Sequence, residues 1–170
     1  MKSDYVLTIF SEDRKGLISI ITSMLNRKGI EMESINAART DIHTQVIITI
    51  QLNGYADEIK LMTLKIKNII EVYHAEVRSL TNTRYQKVAL YAMNKDSYNV
   101  ELFAKTQKHA ATIVGYSADK IIIQKIGREE DIQLLYNELE GVHLHSFSKS
   151  ALISLNAIEL SEEPVISMAA

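Results

Sequence analysis

The sequence predicts an α+β protein made of two tandem βαββαβ units, and three observations carry that expectation. Apolar residues recur at helical spacing in some stretches and at strand spacing in others. The order strand, helix, strand, strand, helix, strand runs through residues 5–80 and then repeats through residues 87–148. Between the halves, residues 81–84 read Thr-Asn-Thr-Arg, a polar break with no hydrophobic pattern. The split βαβ order is that of ferredoxin-like domains. The expected division is a first domain over residues 1–80, a linker at 81–84, a second domain over 85–155 and a tail over 156–170.

Each element has its own signal. Residues 5–10 are a compact run of β-formers, and residues 11–16 make a polar turn carrying Asp13, Arg14, Lys15 and Gly16. Over residues 14–28, Leu17, Ile20, Ile21, Met24 and Leu25 recur on one helical face, and Gly29 follows where a left-handed residue ends a helix. Residues 32–38 and 45–52 read as extended. In the second, Val46, Ile48, Ile50 and Leu52 alternate with Gln45, Thr49 and Gln51, the pattern of a half-buried strand. Asn53-Gly54 is a turn signal. Residues 56–70 make a helix striped by Ile59, Met62, Ile66, Ile69 and Ile70, and 72–80 a closing strand. The second half repeats this with a strand at 87–93, a helix at 98–109 marked by Val100, Phe103 and Ala104, and strands at 112–117 and 120–126. A helix at 129–139 faces inward through Ile132, Leu135 and Leu139, and a strand at 142–148 closes the half. Residues 151–155 are apolar and suit an extension of the last strand or packing across the second domain. Pro164 ends regular structure beyond them.

Composition narrows the function classes. The 170 residues are 46% apolar and 24% charged with a formal net charge of −2, as in an ordinary globular protein. Basic and acidic residues number 11 and 10 up to Arg84, and 8 and 11 after it, so neither half offers a polyanion-binding surface. The absence of cysteine removes disulfides, thiolate nucleophiles and cysteine-based metal sites. No apolar run reaches the ~18 residues of a membrane span, and the polar start lacks a signal-peptide core, so a cytoplasmic location is expected. A domain of this size buries only about 60% of its unfolded surface. Its open sheet also leaves edge strands and one face uncovered, which favours self-association through the sheets.

Many unrelated functions share the βαββαβ order, and the residues prune them. The third strand, Thr-Gln-Val-Ile-Ile-Thr-Ile-Gln-Leu, has none of the aromatic or basic residues of an RNA-recognition module. Metallochaperone chemistry needs a cysteine pair after the first strand. A phosphate site of the acylphosphatase kind needs arginine and asparagine from that loop, and Arg14 and Asn36 are the nearest, with Asp13 beside the first. What remains is the turn at 11–16, which feeds a helix N-terminus whose unpaired N–H groups and partial positive charge suit a small carboxylate.

The stretch from Asp13 to Ile35, with Gly16-Leu17 and the run Arg27-Lys28-Gly29-Ile30-Glu31-Met32-Glu33-Ser34-Ile35, resembles the ACT domain of the acetolactate (acetohydroxyacid) synthase small-subunit family. The pattern there is an Asn-x-x-Gly-x-Leu turn followed by an Arg-Gly-x-Asn-Ile-Glu-Ser-Leu loop. Residues 87–90, 112–126 and 131–150 resemble successive parts of the family's C-terminal domain, so the resemblance covers about residues 5–153. It implies a non-catalytic regulatory subunit in branched-chain amino-acid biosynthesis. Such a chain binds no cofactor itself and activates a large subunit that carries thiamine diphosphate, magnesium and FAD. It also implies a homodimer through ACT domains, with valine or another branched-chain amino acid as effector between them. The effector residues implied are Asp13, Arg14, Gly16 and Leu17 from one protomer and Glu31 and Met32 from the other. The alternative is a stand-alone ACT-type amino-acid sensor serving another enzyme.

Both family asparagines are acidic here, as Asp13 and Glu31. A carboxylate accepts hydrogen bonds and cannot donate them. Near a bound carboxylate it repels by about 4 kcal/mol at 4 Å and an effective dielectric of 20, against about 0.3–1 kcal/mol of attraction from an exposed helix N-terminus. Weak valine binding is therefore expected unless Arg14 or Lys15 folds over the site. Elsewhere His143-x-His145 reads as a solvated strand face rather than a metal pair, and His43, His74 and His109 as isolated surface residues. Ser11, Ser23 and Ser148 have no base arranged beside them. Glu129-Glu130-Asp131 suits a helix N-terminus. Tyr85, Tyr91, Tyr98, Tyr116 and Tyr136 read as half-buried packing residues, or as a docking surface for the large subunit.

Overall fold

The computed structural model describes residues 1–42, 44–97, 99–141 and 143–155. The order is β1 (Ser3–Glu12), α1 (Leu17–Arg27), β2 (Glu31–Arg39), β3 (Gln45–Gly54), α2 (Ala56–Lys67) and β4 (Val72–Ser79), then β5 (Tyr85–Asn94), α3 (Val100–Lys108), β6 (Thr112–Tyr116), β7 (Lys120–Gly127), α4 (Glu129–Leu139), β8 (Leu144–Lys149) and a two-residue β9 (Ile153–Ser154). The chain divides into two compact units after Arg84 and after Ala151. Leu152 and the described residues after it lie with the first unit, whereas the sequence reading assigns 152–155 to the second. Residues 43, 98 and 142, and the tail with Pro164, fall outside the described residues.

In the first unit the antiparallel sheet runs β2-β3-β1-β4. Leu7 and Ile9 of β1 and Ile48, Ile50 and Leu52 of β3 meet Leu17, Ile21 and Leu25 of α1 and Ile59, Met62 and Ile66 of α2 in one core. The alternation in β3 is as read, but the strand continues through Gly54 and Asn53-Gly54 is not a turn. Gly54 is paired with Ser3, which keeps the chain extended up to the helix. Two members of the predicted helical stripes lie outside the core: Ile20 is exposed, and Ile70, beyond the end of α2, is 94% exposed.

The second unit repeats the order β6-β7-β5-β8 with α3 and α4 on one face. Its core joins Ala89, Tyr91 and Met93 to Ile121, Ile123, Ile132 and Leu135. In α3 the predicted face is wrong. Val100 is 85% exposed and Phe103 half-exposed, while Leu102 and Thr106 are buried. The Tyr91 hydroxyl donates to the Ile132 carbonyl at 2.7 Å, and its ring stacks obliquely on Phe147. Burial, then the nearby Glu129 charge, pushes the Tyr91 phenol up to about 12. Tyr85 and Tyr91 are buried and Tyr136 packs on Phe147, whereas Tyr116 is exposed. Those four do not form one surface, and Tyr98 lies outside the described residues.

Candidate functional site

The turn after β1 is shaped by backbone bonds first. Glu12 N–H donates to the Glu71 carbonyl at 2.8 Å and Asp13 N–H to the Thr44 carbonyl at 2.7 Å, which tie the turn to the segments before β4 and β3. Gly16 then sits at φ +87° as the residue preceding α1, and Leu17, 3% exposed, plugs the core directly after it. No side chain caps α1 and no acid occupies its first turn; Leu17 N–H donates to the Arg14 carbonyl at 3.3 Å and Ile20 N–H to the Gly16 carbonyl at 3.0 Å, so what the helix start offers an anion is the N–H groups of Ile18 and Ser19.

The ion pairs around this turn differ from those the sequence suggests. Asp13 accepts from Arg39 Nε at 2.6 Å. The Arg14 guanidinium pairs with the Glu71 carboxylate rather than folding over the turn. The residue that offsets Asp13 is therefore Arg39, at the far end of β2, and neither Arg14 nor Lys15. Reading Arg39 as part of a connector toward β3 misses it. Its opposite charge is the only available signal, and sequence gives no reason to bring residues 26 positions apart together.

Asp13, Arg14, Gly16 and Leu17 thus gather at one turn, and Glu31 and Met32 do not join them in the same protomer. Both follow α1, whose 11 residues set its two ends about 16 Å apart. Paired residues of a sheet share a face and successive ones alternate. Met32 pairs with core-facing Leu52, so it lies on the helix side, half-buried. Glu31 pairs with Asn53, whose side chain reaches Asp4 on the opposite face. Of the two acids expected to repel a carboxylate, one carries a guanidinium partner and the other points off the helix side.

The remaining sequence candidates separate. His143 lies in the turn before β8 and gives its carbonyl to Asn94 N–H, so it and His145 do not share a strand. Among the described residues no group of three or more histidine, aspartate or glutamate side chains could hold a metal. His109 is not isolated: its Nε2 lies 3.0 Å from the Glu138 carboxylate, which Lys108 also holds at 2.5 Å. Those hydrogen bonds, from Lys108 and then His109, keep the Glu138 carboxyl below the usual range. A 330 Å³ pocket, missed by sequence, opens nearby among Met93, Asn99, Lys105, Glu138, Glu140 and His143. Its charges are largely answered within the unit, Lys105 by Glu101 at 2.9 Å and Glu138 as described.

Of the acidic run at the start of α4, Asp131 accepts from Arg128 N–H at 3.1 Å, as a helix N-terminus calls for. Glu129 does more. It holds buried Lys87 at 2.6 Å and also takes Lys149. Burial raises the Glu129 carboxyl, but the Lys149 and Lys87 hydrogen bonds and charges outweigh it and leave the group below its ordinary value.

No family model matches the chain. It is 19% identical over 153 residues to the acetolactate synthase small subunit of Mycolicibacterium smegmatis, covering 89% of this chain and 90% of that one. The small subunit of Mycobacterium leprae is 18% identical over the same length, again at 89% and 90%. Among solved structures, the acetolactate synthase small subunit of Thermotoga maritima superposes with a TM-score of 0.79 at 15% identity, over 89% of this chain and 96% of the other. That superposition establishes the pair of ferredoxin-like units.

Proposed function

We propose that this chain, which resembles acetolactate synthase small subunits along both of its units, is the regulatory subunit of such an enzyme. The carrying observation is the extent of the likeness, since sequence and fold each match over 89% of the chain and at least 90% of the relative. A lone ACT-type sensor would match over one unit only. In this reading the chain contributes no reacting group. Thiamine diphosphate, magnesium and FAD belong to the catalytic large subunit, in the cytoplasm, and the small subunit binds that partner and favours its active conformation.

The same reading makes the chain a dimer through its first unit. β2 is an edge strand of nine residues with an unpaired row of backbone groups. Ile35 on it and Ile18 and Ile20 on α1 are 40–51% exposed, an apolar margin that pairing with a second β2 would cover. Pairing would also carry Met32 of the partner toward the turn of Asp13, Arg14, Gly16 and Leu17, with Glu31 of the partner on the far face. A branched-chain amino acid such as valine, held by its carboxylate at the start of α1, shifts the holoenzyme only through different affinities for its active and inactive states.

The test is reconstitution. Adding the chain to a purified large subunit is expected to raise acetolactate formation from pyruvate, and the two are expected to co-elute. No stimulation and no co-elution would sink the reading in favour of a sensor for another enzyme.

A further inference from the structure

On the outer side of α2, two exposed leucines stand among three lysines that have no acid. Ile59, Met62, Thr63 and Ile66 turn α2 onto its sheet, which leaves Leu61 and Leu64 on the opposite side, 51% and 60% exposed. At about 3.6 residues per turn, Lys60 and Lys67 flank the leucines on one side and Lys65 on the other. Arg14, Arg39 and Arg78 of the same unit each have a carboxylate partner. Among the described residues no ion pair reaches Lys60, Lys65 or Lys67. The negative end of a helix accounts for cations in its last turns, yet gives no reason for leucines among them. An apolar strip rimmed by one sign of charge suits an occupant that brings apolar residues and the opposite sign.

The chain itself holds such an occupant, and it starts close by. Ser154, 1% exposed, lies in the first unit around one small gap with Val6 and Thr8 of β1 and Glu76 and Arg78 of β4. β4 is an edge strand of that sheet, and Val72 and Ala75 of β4 share a core with α2 on the other side. Residues 156–170 follow Leu155 and contain Glu159, Glu162 and Glu163, no lysine or arginine, and Ile158 and Leu160 beside the acids. A segment of that length reaches about 50 Å when extended, whereas the way round β4 to the outer side of α2 is about two helix diameters, ~20 Å. We propose that residues 156–170 dock on the outer face of α2, with the three glutamates against Lys60, Lys65 and Lys67 and with Ile158 and Leu160 on Leu61 and Leu64. Exposed ion pairs are individually weak, and the tether offsets this by holding the two surfaces at an effective concentration of about millimolar. The contact closes α2 to other proteins while the tail is in place, and it is independent of the regulatory reading and of the β2 edge.

The test keeps the full chain, which has no cysteine of its own. On mild oxidation, Leu64→Cys with Ser161→Cys is expected to close a disulfide within one chain. That closure should run about tenfold faster than with Lys28→Cys and Ser161→Cys, where the first thiol stands at the end of α1. Lys60→Glu, Lys65→Glu and Lys67→Glu together should erase the difference. Adding Glu159→Lys, Glu162→Lys and Glu163→Lys to that reversed chain should restore it, a recovery that misfolding would not allow. Four results would each overturn the inference: equal rates for the two cysteine pairs, no recovery on the second reversal, a disulfide between chains instead of within one, or a Leu64→Cys thiol shielded only after the catalytic subunit is added. The third would assign the face to a second copy and the last to that subunit.

Discussion

At Gly16 the backbone stands at φ +87° and nothing lies within 4 Å of where a Cβ would sit, so conformation alone demands glycine. Gly16→Ala is expected to cost about 1 kcal/mol, read as a lower urea midpoint with an unchanged slope. Beside it, Arg39 answers Asp13. An exposed pair of this kind adds only about 0–1 kcal/mol of stability, but it controls the charge that a ligand carboxylate would meet. The repulsion reckoned from sequence treats Asp13 as unpaired. With Arg39 present, Asp13→Asn is expected to tighten valine binding, and Arg39→Ala to weaken it about tenfold or more, by calorimetry (about 1.4 kcal/mol per decade). Equal affinities in all three chains would remove the turn from the site. Glu129 bears on stability rather than binding. Its folded pKa lies below the unfolded one, so the stabilisation is complete above the unfolded pKa and is lost as pH falls through the folded one. Glu129→Gln should therefore flatten the stability profile below about pH 4.3. At neutral pH it should lose about 1.5 kcal/mol, the low end for a hydrogen bond to a charged group, because Lys87 is buried but Glu129 itself is one-third exposed.

Among the elements, α3 is legible in the sequence as a helix but not as to its face. Its apolar residues Val100, Phe103 and Ala104 suggest one stripe, while the buried stripe is Leu102 and Thr106, one of them polar. Thr106 is accommodated because its hydroxyl donates to the Phe103 carbonyl at 2.7 Å, and Asn99 sets the start by accepting from Leu102 N–H at 2.9 Å. Leu102→Ala is expected to cost about 2–4 kcal/mol and Val100→Ser less than about 0.5 kcal/mol; thermal unfolding of the two variants checks both. By contrast α1, α4 and β3 are readable because each has several apolar residues in strict period. Ile20 is misplaced for a simpler reason: the apolar stripe of α1 is wider than the surface the sheet and α2 offer, and the surplus forms an exposed margin beside β2.

For the whole molecule, the first unit leaves its β2 edge free. Ile35→Asp is accordingly expected to weaken large-subunit activation if effector and partner binding need paired ACT units, with the isolated chain still folded by circular dichroism. Activation unchanged by Ile35→Asp would separate the edge from the regulatory role.

Period and order were enough, in the sequence alone, to determine two ferredoxin-like units, the glycine before α1, and a resemblance spanning both halves, because strand and helix spacing are local properties that each segment carries by itself. Tertiary structure decided what answers Asp13, which way Glu31 points, how Lys87 is held and which sheet face stays bare. Those outcomes depend on pairs of residues far apart in the chain, and on a strand register in which a one-residue shift exchanges one face for the other.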